Sequence, residues 1–302
     1  MNRYILRQSA ILFMAATIWG FAFVAQSVGM DYVGPYTFIA ARNVVALTVL
    51  LPWLAFLERS HRKKGGQRQR GDRKALIFGG ICCGICLFAA SVLQQVGVQY
   101  TTVGKAGFIT AMYLVLVPVF GIFLNKKTGA KVWIAVVLAS MGLYLLCITK
   151  GDFRLQKGDI YIFGCAVVFA LHILVVDHFS PLVDGVKLSC VQILTNAVLG
   201  TVMMFFKEQP DAGDVFAAWL PIVYAGALSS GVGYTFQIIG QKGMNPTAAS
   251  LILSLESVIS VLAGWVLLHQ TLTMRELAGC ALAFAAIILV QLPGKRDLKS
   301  KA

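Results

Sequence analysis

The chain has 302 residues, of which 58% are hydrophobic and 13% charged, with a net charge of +13. Soluble domains carry about 25% charged residues, and a mean hydropathy of +0.77 does not suit a surface wetted on every side. These values exclude a water-soluble enzyme or nucleic-acid-binding domain and leave an integral membrane protein with little extramembrane mass.

Long continuous apolar runs predict helices, because a transmembrane barrel would show short alternating segments instead. Ten spans are expected in chain order, at residues 9–30, 34–57, 75–99, 103–124, 131–149, 158–178, 186–206, 215–240, 246–268 and 275–292. The first follows Arg3 and Arg7 as a signal peptide would. It runs on to about residue 30 without a convincing small-residue cleavage site, and reads as a retained anchor. Between the second and third spans lies the basic run RSHRKKGGQRQRGDRK at 59–74. It reads first as a topology determinant and alternatively as an anionic-lipid contact.

Alternating loops carry 19 Lys and Arg on the side of the N-terminus and 6 on the other, with Arg42 inside a span completing the 26. The positive-inside rule then places both termini in the cytoplasm. Seven cysteines all fall inside spans. Cys83 and Cys86 have C-x-x-C spacing, but no second Cys or His pair follows at zinc spacing, so no metal or other cofactor is expected. Homodimerisation is left open.

Ten spans divide into five and five, expected as repeats at 9–149 and 158–292. An odd number per half inverts the second relative to the first, which is a signature of secondary transporters. A shift of 143 residues lays Gln94 on Gln237, Gly97 on Gly240, Ala106 on Ala249, Ile109 on Ile252 and Tyr113 on Glu256. The expected fold class is therefore all-α integral membrane, with ten transmembrane helices in two inverted five-helix repeats.

Glu256 is the only carboxylate in the ninth span. A charge at membrane depth is costly and usually faces a bundle interior or wet cavity. On a helical wheel Ala249, Ser250, Ser254, Glu256, Ser257, Ser260 and Gly264 share one side, with Leu253 and Val261 among them. Leu251, Ile252, Leu255, Val258, Ile259, Leu262 and Val266 share the other, which suits lipid. Arg42 lies about a third of the way into the second span. It is read either as an ion-pair partner of Glu256 or as a contact for a charged substrate. Lys105, at the start of the fourth span, either snorkels or meets an anionic group. His172 is read as hydrogen-bonded packing or a proton carrier. Gln94, Gln95, Gln192, Asn196 and Gln237 need polar partners in a dry interior and suggest a polar cavity. Trp19, Phe21, Tyr113, Tyr234 and Phe236 are candidate lining residues. Pro52, Pro118 and Pro221 should kink their spans, and GALSSGVG at 226–233 is a patch of small residues.

No phosphate loop, H-E-x-x-H or G-x-S-x-G occurs, so neither an ATP-driven pump nor those hydrolases are expected. Trp19-Gly20, Pro35, Arg42, YTTVGKAGFITAMYLVLVP (100–118), Gly158-Asp159, GYTFQIIGQKGMNPTAASLILSLESV (233–258) and TLTMRELAGCAL (271–282) together resemble EamA-type members of the drug/metabolite transporter superfamily. The resemblance runs nearly end to end. It implies a central substrate cavity and export of small metabolites, such as amino acids and their relatives, across the inner membrane. Many relatives end the fourth and ninth helices with Gly-Glu, where this chain has Lys126-Lys127 and His269-Gln270. The expected partners are a small-molecule substrate, membrane lipids and protons as a coupling ion. Broad drug efflux and a non-transporting membrane scaffold are the competing readings.

Overall fold

The structure is a computed structural model that describes residues 3–63, 72–101, 103–124, 129–147, 157–268 and 273–291. Every regular element among them is helical. Helices α1 (Arg3–Gly29), α2 (Pro35–Lys63) and α3 (Arg73–Val98) are followed by α4, in two pieces, Val103–Ala111 and Tyr113–Phe123. Then come α5 (Ala130–Cys147), α6 (Lys157–Phe179), α7 (Gly185–Lys207) and, after a short Ala212–Ala217 helix, α8. Helix α8 runs Trp219–Val223, Tyr224–Gly233 and Tyr234–Gln241, and its middle piece is π-helical. Helix α9 is again two pieces, Pro246–Leu253 and Leu255–Leu268, and α10 is Met274–Gln291. Eight helices are long and apolar enough to cross a membrane, while α5 and α10 contain shorter apolar stretches, Ala130–Leu145 and Leu277–Leu289. At 1.5 Å per residue, the 27 residues of α1 reach about 40 Å, more than the roughly 30 Å hydrocarbon core. The basic run at 59–74 and the Lys126-Lys127 and His269-Gln270 positions lie wholly or largely outside the described residues.

Local chemistry sets where these helices start. Pro246 opens α9 at a position where its missing N–H costs nothing. The Asn245 side chain accepts from the amides of Thr247 and Ala248 at 2.9 and 3.3 Å. Asp184 and Asp72 cap α7 and α3 in the same way, through the amides of Lys187 and Lys74. For α2 the cap comes from elsewhere in the chain. Glu208, just past α7, accepts from the Tyr36 amide at 3.0 Å and from the Thr37 amide and hydroxyl at 2.8 and 2.6 Å. A carboxylate at a helix N-terminus is favoured by the backbone dipoles, and this one ties the two halves of the chain together.

The outward faces carry Phe56, Phe78, Phe123, Phe205, Phe206 and Phe216 in exposed positions. So much bare apolar surface is suited to lipid and not to water. The interior is small and polar instead. Helix α1 packs on α8 and α9, and α6 packs on α3 and α4. Helix α2 packs on α7 and α8, α7 on α2 and α3, and α5 on α10. Exchanging each helix for the one five places along maps this set of contacts onto itself. Asn196 reaching Asn43 across the α7–α2 contact at 3.5 Å is one such exchange-related link.

One expectation needs correcting. The apolar side of α9 does not meet lipid: Leu251, Ile252, Leu255, Val258 and Ile259 are all buried. The helix is central, enclosed by α1, α4, α5 and α10, so a side suited to lipid packs on other helices instead. Helix α2 runs unbroken through Pro52 and Pro221 lies in the short first piece of α8, while α4 breaks at Met112 and α9 at Ser254 with no proline at either break. At the breaks the backbone tightens to i→i−3 bonds, Met112 N–H to the Ile109 carbonyl and Ser257 N–H to the Ser254 carbonyl, at 3.1 and 3.2 Å. In α9 the Ser250 and Ser254 hydroxyls also bond to backbone carbonyls one turn back, a competition that bends helices.

Close approach in this core depends on missing side chains. A Cβ on Gly226 would stand 2.5 Å from the Arg42 carbonyl oxygen and 2.7 Å from the Val45 Cβ. Gly226→Val is expected to destabilise the protein by about 1–3 kcal/mol, the usual cost of overpacking. Gly129→Ala, where a Cβ meets nothing within 4 Å, should leave stability unchanged. Thermal unfolding of both purified variants in detergent checks the pair.

Candidate functional site

Helices α1, α2, α3, α4, α6, α8 and α9 enclose a cavity with an empty volume of about 470 Å³, its mouth included. From α1 come Trp19, Phe23 and Gln26, spaced i, i+4, i+7 along one face; α6 adds Phe169 and Ile173. Helix α8 provides Ser229, Tyr234 and Gln237, and α9 provides Leu253 and Glu256. Arg42, Gln94 and Tyr113 complete the lining. The wall thus holds one cation, one carboxylate, three amides and five aromatic rings.

Glu256 is 5% exposed and accepts a hydrogen bond from the Tyr113 hydroxyl at 3.0 Å. Its backbone is held where α1 comes closest, because a Cβ on Gly20 would lie 2.9 Å from the Glu256 carbonyl oxygen and 2.7 Å from Ile259. Trp19, beside Gly20, donates from its indole to the Ser229 carbonyl at 3.2 Å and meets the Tyr234 ring at 4.9 Å between centroids. Gly233 makes room for it, since a Cβ there would sit 2.6 Å from the Trp19 Nε1. The π-helical piece of α8 therefore serves both contact with α2 and presentation of Ser229 to the cavity. Such pieces occur often at functional sites.

Arg42 is buried, with its guanidinium 5.9 Å from the centre of the Phe38 ring. It does not form an ion pair with Glu256, although both line the same cavity. Its Nε has no partner among the described residues, and neither do the side-chain oxygens of Gln26 and Gln237. The wall therefore presents a donor at Arg42 and acceptors at Gln26, Gln237 and Glu256. An unsatisfied polar atom in a buried site costs about 1–3 kcal/mol, and water or a polar solute in the cavity would satisfy these.

Of the other expected residues, Gln94 lines the cavity and donates to the Thr110 hydroxyl at 3.4 Å. Ser257 and Ser260 do not reach the lining. Ser257 donates to the Gly107 carbonyl of α4 at 2.8 Å, and Ser260 to the Ser257 carbonyl at 2.8 Å. Their small size and bonding serve helix contact, as hydroxyls in membrane interfaces commonly do. His172 stands one layer back, 3.0 Å from Gln192, with its ring centroid 6.2 and 6.5 Å from those of Tyr234 and Phe169. Phe21 and Phe236 pack against the main apolar core and not the cavity. The side chain of Lys105 lies outside the described residues. Gln26, Phe23, Phe169 and Ile173 were not anticipated, whereas Leu253 lies on the polar side read for the ninth span and Ser229 in the small-residue patch at 226–233. The first two share a face with Trp19 at helical spacing, a signal available in the chain itself.

Residues 8–148 and 156–292 each match the EamA-like transporter family. The chain belongs to that family. Among EamA-like relatives, an uncharacterized transporter of Archaeoglobus fulgidus is 28% identical over 93% of this chain and 84% of its own length. The uncharacterized transporter YoaV of Bacillus subtilis is 25% identical over 90% of this chain and 92% of its own. A crystal structure of another protein matches with a TM-score of 0.77 over 96% of this chain and 98% of that one, at 18% identity. That likeness establishes the shared fold alone. The protein is thus a multi-pass membrane transporter of the EamA-like family, which implies a small-molecule substrate and contact with membrane lipid.

Single cysteines placed in a chain otherwise stripped of its 7 native ones check which side chains face the cavity. Ser229→Cys is expected to react with a small water-soluble methanethiosulfonate several-fold faster than Ser257→Cys or Ser260→Cys. Equal rates at all three positions would contradict this lining.

Proposed function

We propose that this EamA-like protein is a secondary transporter of the inner membrane, with both termini cytoplasmic. It exports a small metabolite such as an amino acid or a related compound by alternating access. The observation that carries the reading is the pair of opposite charges, Arg42 and Glu256, in one buried cavity without an ion pair between them. Two buried charges that do not neutralise each other are costly. A zwitterion offsets that cost, its carboxylate bonding to Arg42 and its ammonium to Glu256, with the Gln26 and Gln237 oxygens as further acceptors. Proton coupling has a natural place at Glu256, because a carboxyl can exchange its proton for the ammonium of the solute.

The architecture we infer is ten transmembrane helices in two inverted five-helix repeats, 9–149 and 158–292. Support comes from the contact set that survives exchange of each helix for its counterpart, and from the two successive matches to one family. Breaks in α4 and α9 beside the cavity are also features of transporter sites.

A second reading, broad efflux of apolar cations, is favoured by the five aromatic rings on the wall. Aromatic faces attract cations. The two readings differ over Arg42, which helps a zwitterion and repels a simple cation.

In cells producing matched membrane levels of each variant, Glu256→Gln and Arg42→Gln are both expected to reduce export of the native solute at least about tenfold, in line with losing one partner of a buried charged contact. Profiling of metabolites in the medium measures this. Increased resistance to cationic dyes in Arg42→Gln cells would favour the second reading. Unchanged profiles for both variants would count against either.

A further inference from the structure

We propose that the Tyr113–Glu256 hydrogen bond is a conformational switch. It couples occupancy of the carboxylate to the relative placement of the two halves of the protein, and Tyr113 is its positioning residue. This rests on the reading of Glu256 as the group that engages the solute.

Three independent observations converge on this bond. First, both partners sit at helix breaks. Tyr113 is the first residue after the break in α4, and Glu256 the second after the break in α9. Second, the helices cross there. The first piece of α4 packs on the second piece of α9, and the second piece of α4 on the first piece of α9. Ser257 clasps the Gly107 carbonyl on one side of the crossing. Third, the partners are 143 residues apart, the same shift that aligns the two halves of the sequence. Corresponding positions of two repeats can touch only near the axis that relates them. Ends of the helices move far in a rocking motion while the crossing moves little, so the crossing is where both halves can be sensed at once.

With the cavity empty of solute, Tyr113 supplies the donor that a buried carboxylate requires. A solute ammonium supplies a stronger, charge-assisted donor. Bound at Oε1, the oxygen that Tyr113 uses, it displaces the Tyr113 hydroxyl from Glu256 and removes a tie between the two broken helices. The pieces of α4 and α9 are then free to change their angle at Met112 and Ser254. Occupancy of one carboxylate is converted into a change of gate, without any need for the solute to touch the gates.

The test needs no identified substrate. Spin labels on exposed residues of opposite halves report each end of the molecule, Leu124 with Leu182 at one end and Tyr32 with Phe216 at the other. Distance distributions are measured in lipid nanodiscs for wild type, Tyr113→Phe, Glu256→Met and the double variant, with thermal stability alongside. Each single variant is expected to shift at least about a third of the population to a second distance at both ends, in opposite directions. The double variant should shift no further than either single one. Glu256→Gln keeps an acceptor for Tyr113 and should retain the wild-type distributions even where it abolishes export. That outcome separates the switch from the solute contact. Distributions unchanged in Tyr113→Phe, or a double variant whose shift is the sum of two independent ones, would overturn the proposal. A loss of thermal stability with no change in distances would reduce the bond to packing.

Discussion

A carboxylate placed at membrane depth must be solvated by the protein that carries it. Much of the interior of this molecule is arranged around that requirement. Glu256 is only 5% exposed, so most of its surroundings come from other helices: the Tyr113 hydroxyl at 3.0 Å and a cavity lined by amides and Arg42. Bringing those partners close demands helices that approach more tightly than large side chains allow. Hence Gly20 lies against Ile259 and the Glu256 backbone, Gly226 against Arg42, and Gly233 against the Trp19 indole. The glycines and the charges are two sides of one constraint, because close packing gives the buried polar groups their partners.

The same constraint explains why serines are plentiful in α9 yet few belong to the site. In a helix surrounded on all sides by other helices, a small residue with a hydroxyl that bonds to backbone satisfies packing and polarity together. Ser250, Ser254, Ser257 and Ser260 all bond to backbone carbonyls. Only Glu256 on that face has a charge that backbone cannot satisfy. It lines the cavity, together with Leu253.

Legibility from the chain divided along the same line. Apolar runs long enough to span a bilayer marked the helices, because the membrane imposes length and hydropathy directly. Charges at depth, Glu256 and Arg42, marked the cavity, because their cost has few structural explanations. Tyr113 was found through its alignment with Glu256, and the two prove to be bonded. What the chain hid was environment. An apolar side of α9 looks the same whether lipid or another helix covers it, so Leu251 and Ile259 were assigned to lipid and are buried. The break at Ser254 was equally hidden, since it arises from hydroxyl–carbonyl bonding and tertiary crossing, with no proline to announce it. Gln26 was overlooked although it follows Trp19 by two helical turns, because a single amide in α1 has several ordinary explanations.

Under the proposed function, the absence of an ion pair between Arg42 and Glu256 is the detail that favours a carrier over a scaffold. A protein needing only stability would have Arg42 and Glu256 meet, or would have neither, since apolar replacement of a buried pair is often neutral or stabilising. Keeping both charges in one cavity and apart preserves their capacity to bind something else. On the zwitterion reading proposed above, a solute carboxylate would gain at Arg42 and a solute ammonium at Glu256. Return of the carrier without solute then depends on a substitute donor for the carboxylate. Tyr113 is the one in contact with it, at the crossing where α4 and α9 break. On the switch proposed above, solute recognition and the return step both use Glu256, and competition at its Oε1 would let one buried carboxylate govern both.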